Sequence, residues 1–164
     1  MKTLTPIAVL GLTLALLSPA SASADARCAK RSLDGSISAT VSLTPATGSF
    51  AGEGAGLATH LGPFTASQQG TVAPAPDGHY AGRSTWTITA ANGDTLTGTA
   101  TLNVEGSPAG VHTTTMVSTI TGGTGRFDDA TGNFTIVFHV TPISFDGTTA
   151  VNRAEGSITG RINY

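Results

Sequence analysis

The sequence predicts an all-β domain, an eight-stranded antiparallel β-barrel, with an open β-sandwich as the alternative arrangement of the same strands. Three observations carry this. Small or apolar residues alternate with Thr and Ser over most of the chain, as strands with one buried face require. Turn signals rich in Gly, Pro, Asn and Asp recur at even spacing. Beyond the first residues, no window carries apolar positions at i, i+3, i+4 and i+7, so no amphipathic helix is expected.

Residues 1–24 read as a secretory signal peptide: Lys2 is the basic start, Ile7 to Leu17 the apolar run, and Pro19 to Ala24 a small-residue end with two Ala-x-Ala cleavage patterns. The run is shorter than the roughly 20 apolar residues of a membrane span, so a secreted or periplasmic protein with no membrane span is expected. Residues 25–35 are expected as an N-terminal arm and residues 36–164 as a single barrel domain. Cys28 is the only cysteine, which leaves no intramolecular disulfide and a thiol in the arm that could link two chains. The net charge of −2 has no basic cluster behind it, and nucleic acid is not an expected partner.

Strand 1 is expected over Ser36 to Leu43, with Ile37, Ala39, Val41 and Leu43 on one face. Strand 2, Ser49 to His60, puts Gly52, Gly54 and Gly56 on one face, the mark of a tightly curled barrel wall or of a close approach. Strand 3, Phe64 to Ala73, places Phe64, Ala66, Gln68, Gly70 and Val72 together. Strand 4, His79 to Ala91, does the same for Tyr80, Gly82, Ser84, Trp86, Ile88 and Ala90, and ends at Asn92-Gly93, a two-residue hairpin signal. Strand 5, Asp94 to Glu105, opposes Leu96, Gly98, Ala100, Leu102 and Val104 to a row of Thr. Strand 6 carries His112, Thr114, Met116, Ser118 and Ile120 inward, and Val111, Thr113, Thr115 and Val117 outward. Strand 7, Asn133 to Thr141, turns Phe134, Ile136, Phe138 and Val140 inward, and strand 8 closes the chain with Gly156, Ile158, Gly160, Ile162 and Tyr164 on one face.

Strands 6 and 7 are joined by Ser118 to Gly132. There Gly122, Gly123 and Gly125 are expected at positive φ, Arg126 and Phe127 to supply a charge and an apolar plug, and Asp128 and Asp129 to cap a short turn. A dinucleotide fingerprint would need a third glycine at Asp128 and a following helix, and a phosphate loop would need Gly-Lys-Ser/Thr, so neither fits.

The order of Thr59-His60-Leu61-Gly62, Ala91-Asn92-Gly93-Asp94-Thr95-Leu96, Gly-Gly-Thr-Gly-Arg-Phe at Gly122 to Phe127 and Gly-Ser-Ile-Thr-Gly at Gly156 to Gly160 resembles the allene oxide cyclase-like barrels. That superfamily includes dirigent proteins and secreted bacterial members. The resemblance implies an eight-stranded barrel and an association into trimers, for which outward Val111, Val117 and Val137 offer an apolar patch. It also implies that a cyclase or dirigent-like reaction would use pocket acids, and no acid of this sequence matches such a position.

An eight-stranded barrel is either filled by its own side chains or wide enough for one small ligand. The candidate ligand-binding set is Gln68, Tyr80, Trp86, His112, Met116, Phe134 and Phe138, apolar area with a few polar groups, which suits an apolar small molecule and equally a plain core. His60 and Ser84 are further inward candidates. His60, His79, His112 and His139 show no metal-ligand spacing, and no cofactor is implied. His112 is the best placed general base, yet no nucleophile constellation accompanies it, since Ser157 stands second and not third in Gly156 to Gly160. Three readings stay open: a non-catalytic binder, a cyclase or dirigent-like enzyme, and a structural barrel.

Overall fold

The period-two alternation runs through every segment of the computed structural model, which describes residues 30–164. Eight strands follow: β1 (Arg31–Thr44), β2 (Ser49–Ala58), β3 (Gly62–Pro74), β4 (Tyr80–Ala90), β5 (Thr95–Glu105), β6 (His112–Gly123), β7 (Thr131–Phe145) and β8 (Ala150–Asn163). Each pairs antiparallel with the next, and β8 pairs with β1, so the sheet closes as a barrel and the sandwich alternative does not apply. A single 3₁₀ turn, Gly125–Phe127, is the one helical piece among the described residues. None of the described helices is long and apolar enough to cross a membrane. The expected signal peptide and Cys28 lie outside the described residues.

β1 begins five residues before the expected strand start. Arg31 to Gly35 pair with β8 from Ile162 to Ile158, so that part of the expected arm belongs to the barrel wall. The reason is visible in Leu33, whose side chain is 1% exposed and anchors the extension to the core. β8 likewise starts earlier than its glycine-alternating end suggests, adding inward Ala150, Asn152 and Ala154.

The meander puts the start of β1, the end of β8 and the β2–β3, β4–β5 and β6–β7 connections at one end of the barrel, and the other four connections at the opposite end. The first end is sealed. Phe127 is fully buried there, packs edge-on against Tyr164 with ring centroids 4.9 Å apart, and is covered by the Arg126 guanidinium 4.6 Å from its centroid. Leu33, Leu61, Leu96, Ala130 and Ile162 complete the seal, each at most 4% exposed. Arg31 lies over the Tyr164 ring from outside.

Two details of the joint differ from expectation. Gly122 and Gly125 take positive φ, 148° and 60°, but Gly123 does not; it is required because a Cβ there would strike the Thr95 carbonyl oxygen and Phe127. Asp128 ends the 3₁₀ turn through its backbone N–H, which donates to the Gly125 carbonyl, but the exposed carboxylates of Asp128 and Asp129 cap no backbone N–H; Asp94, from the β4–β5 turn, accepts the Arg126 backbone N–H at 3.3 Å and pairs with its guanidinium at 3.7 Å. That turn is itself longer than a two-residue hairpin. The Ala90 amide donates to the Asp94 carbonyl across three residues, and only Gly93 has positive φ, at 87°.

Candidate functional site

Inward side chains divide the barrel in two. In the half next to the seal, Trp86, Ile88, Met116, Phe134, Ile136, Phe64 and Ile158 leave a residual void of only about 30 Å³. Trp86 is 5% exposed, meets Phe134 edge-on at 5.1 Å, and donates its indole N–H to the Thr99 carbonyl at 3.1 Å. It lies over Gly98, its cross-strand partner, where a Cβ would collide with the indole. The aromatic covers the missing side chain, so this half is a packed core.

The other half is open. A cavity of about 90 Å³ lies under the β1–β2, β3–β4, β5–β6 and β7–β8 connections, walled by Val41, Leu43, Phe50, Val72, Leu102, Val104 and Val140 and reaching down to Phe138. Small residues at the middle of the β8–β1–β2–β3 wall leave the room for it: Ala154, Ala39, Gly52, Gly54 and Ala66 all line it. Ala39, Val41, Phe50 and Ala66 are accordingly only partly buried although they face inward. Gly54 cannot be enlarged, because a Cβ would stand 2.6 Å from the Ser38 carbonyl oxygen and 2.8 Å from the Ala39 Cβ.

Four polar side chains reach this cavity from within. Gln68 sits at its floor and donates through Nε2 to Ser84 Oγ at 2.8 Å and to Met116 Sδ at 3.2 Å. His112 stands near the rim with Nδ1 at 2.7 Å from the Gly110 carbonyl oxygen. Thr114 is 7% exposed, and Asn152 is 2% exposed with an Oδ1 that finds no hydrogen-bond partner. No Asp or Glu among the described residues is buried; Glu53 touches the cavity wall but its own residue is exposed. Among the described residues, no three His, Cys, Asp or Glu side chains gather as a metal site.

The predicted set therefore splits. Gln68, His112 and Phe138 line the cavity; Trp86, Met116 and Phe134 belong to the packed half, with Gln68 and Phe138 at the boundary. Tyr80 lies half-buried at the start of β4 beside Val104, outside the lining. Ser84 is buried as expected, but His60 is exposed in the β2–β3 turn at φ 66°, with its ring 6.2 Å from that of Tyr164 at the sealed end. His139 faces outward. Asn152 was missed, and the alternation Ala150-Val-Asn-Arg-Ala-Glu-Gly156 was the signal that would have found it. Comparison with protein-family models, curated proteins and solved structures finds no match to this chain.

Proposed function

We propose that this protein is an exported, non-catalytic binder of an apolar small molecule, held at the open end of the barrel. The observation that carries the reading is the apolar cavity with a few placed polar groups above a packed lower half, the usual composition of a small-molecule site. At about 90 Å³ it is well below the roughly 300 Å³ of a drug-sized site, so the occupant is a small molecule or the end of a longer one whose remainder stays in the mouth. Export rests on the Lys2, Ile7 to Leu17 and Ala20 to Ala24 pattern.

The cyclase or dirigent-like alternative is less well supported, because the groups facing the cavity from within are neutral Gln68, Thr114 and Asn152 with His112 at the rim, and proton transfer normally draws on a paired acid and base. Membership of the allene oxide cyclase-like group remains part of the proposal, supported by the order of motifs in the sequence and the closed eight-stranded meander. So does a trimer, for which Val117 and Val137 on adjacent strands are 49% and 38% exposed; a monomer by light scattering removes it.

The test is an NMR titration with benzene, hexanol and cyclohexanol. Expected are shifts concentrated at the amides of Val41, Gly52, Gly54, Val104 and Asn152, abolished by Ala39→Leu or Ala66→Leu, which fill the cavity. Absence of any shift across the three compounds defeats the binding reading and leaves the structural one. Trp86 fluorescence is a poor reporter, since the indole is fixed in the packed half.

A further inference from the structure

The two ends of the barrel differ in charge as well as in packing. The sealed end carries Arg31, Asp34, Asp94, Arg126, Asp128 and Asp129. The four connections of the open end contain no Lys or Arg, and their charged groups are engaged within their own turns: Asp77 lies 2.6 Å from His79 Nδ1, and Asp146 accepts the Thr148 and Thr149 backbone N–H groups. What this end offers outward is apolar. Val111, in the β5–β6 connection, is 74% exposed, and Ile143 and Phe145, on the extension of β7 beyond β6, are 55% and 61% exposed. Register ties them to the cavity mouth. Phe145 pairs with Ala150 and Ala150 with Leu43, a residue of the cavity wall, so Phe145 stands on the inward side of the sheet and continues that wall outward. Val111 shares its connection with Pro108, which also lines the cavity.

A protein partner is positioned by free polar groups around an apolar centre, whereas a fluid lipid layer asks only for exposed apolar area. The acids at this end, Asp77, Glu105 and Asp146, have no base in the connections beside them, which argues against an anionic layer. We propose that the open end docks on a lipid layer of zero net charge, with Val111, Ile143 and Phe145 entering its apolar part and the cavity mouth lying against it. The docking goes beyond the binding reading and does not depend on it.

The test is flotation of the protein with vesicles of phosphatidylcholine alone and of phosphatidylcholine mixed with phosphatidylglycerol. The protein is expected to float with phosphatidylcholine, no better with the anionic mixture, and equally at low and high salt. Ile143→Ser and Phe145→Ser should each weaken binding about tenfold, the worth of carrying one half-exposed large apolar side chain out of water, and Val111→Ser is a third variant in a separate connection. Leu57→Ser is the control: Leu57 is 60% exposed at the sealed end, and its loss should change nothing. No flotation with either vesicle overturns the proposal, and so does flotation that needs phosphatidylglycerol and disappears in high salt. Flotation undiminished in all three rim variants overturns the assignment to the open end. A protein that does not float but forms a dimer, broken by the rim variants, makes this end an interface between copies and overturns the lipid assignment. Flotation by a protein that shows no shift with benzene, hexanol or cyclohexanol supports the docking while the binding reading falls.

Discussion

Ser118 and Asn152 both bury an oxygen without a partner, but they differ in what lies beside them. Asn152 is part of the cavity wall, whereas Ser118 is fully buried between Ala100 and Phe134 and is absent from that wall. Removing the Ser118 hydroxyl takes away an unmet demand and leaves almost no hole, so Ser118→Ala should be neutral or stabilising by up to ~1–3 kcal/mol in urea unfolding. Phe127→Ala should act in the opposite direction, losing ~3–5 kcal/mol, because the ring closes the sealed end against Leu96, Tyr164 and Ile162 and nothing nearby can collapse into its place. Equal effects of the two changes would contradict the role of Phe127 as the plug of the sealed end. The role of Phe127 as a plug could be read from the sequence, since an apolar residue inside a glycine-rich joint has few other uses. The partner that holds the joint could not. Asp94 is separated from Arg126 by the whole of β5 and β6, and an acid beside the arginine in sequence was the more obvious candidate.

At the scale of elements, the strands with regular alternation were placed closely, and the errors lie where small residues blur the pattern. Ala150 and Ala154 flank Asn152 on β8 and look neither clearly apolar nor clearly polar, which hid the first half of that strand. β7 also runs past its expected end: Pro142 to Phe145 continue beside β8 through an irregular step, beyond the reach of β6, whose first partner is Val140. Ile143 and Phe145 are more than half exposed on this overhang. The β7–β8 turn at its tip is held by Asp146, whose carboxylate accepts the backbone N–H groups of Thr149 and Thr148 at 2.7 and 2.8 Å. Those two bonds, Thr149 first, lower its pKa below the ordinary aspartate value. A carboxylate with a lowered folded pKa supports the turn above its unfolded pKa, near 3.9, and loses that support as pH falls through the folded one. Hydrogen exchange of the Thr148 and Thr149 amides should therefore lose protection in acid below about pH 4 before the barrel strands do, after correction for the intrinsic pH dependence of exchange. Protection unchanged to the point of global unfolding would contradict this.

For the molecule as a whole, the closed barrel was legible because eight alternating segments with short connections have few other ways to bury one face. Whether its interior is filled was not legible. That depends on which inward residues fall at the same height around a sheared sheet, so that Trp86 meets Gly98 at one level while Ala39, Gly52 and Ala154 leave room at another. Deleting Ile158 to Tyr164 should remove both the β8 partner of Arg31 to Gly35 and the Tyr164 contact with Phe127, leaving open edges on β1 and β7; insoluble or aggregating protein in size-exclusion chromatography is the expected outcome. Soluble truncated protein that still melts cooperatively would argue against closure. The pairing of β1 with β8 also sets a clock. These strands lie nearly the whole described chain apart, so the seam cannot form until the final strand has left the ribosome, and an all-β fold that must close such a seam completes on the order of milliseconds to seconds, not microseconds. For that interval β1 is an unprotected edge in search of a partner. Its alternating Asp34, Ser36, Ser38 and Thr40 on the outward face keep a nascent chain wetted on one side while it waits for its own C-terminal strand and not for a neighbour's.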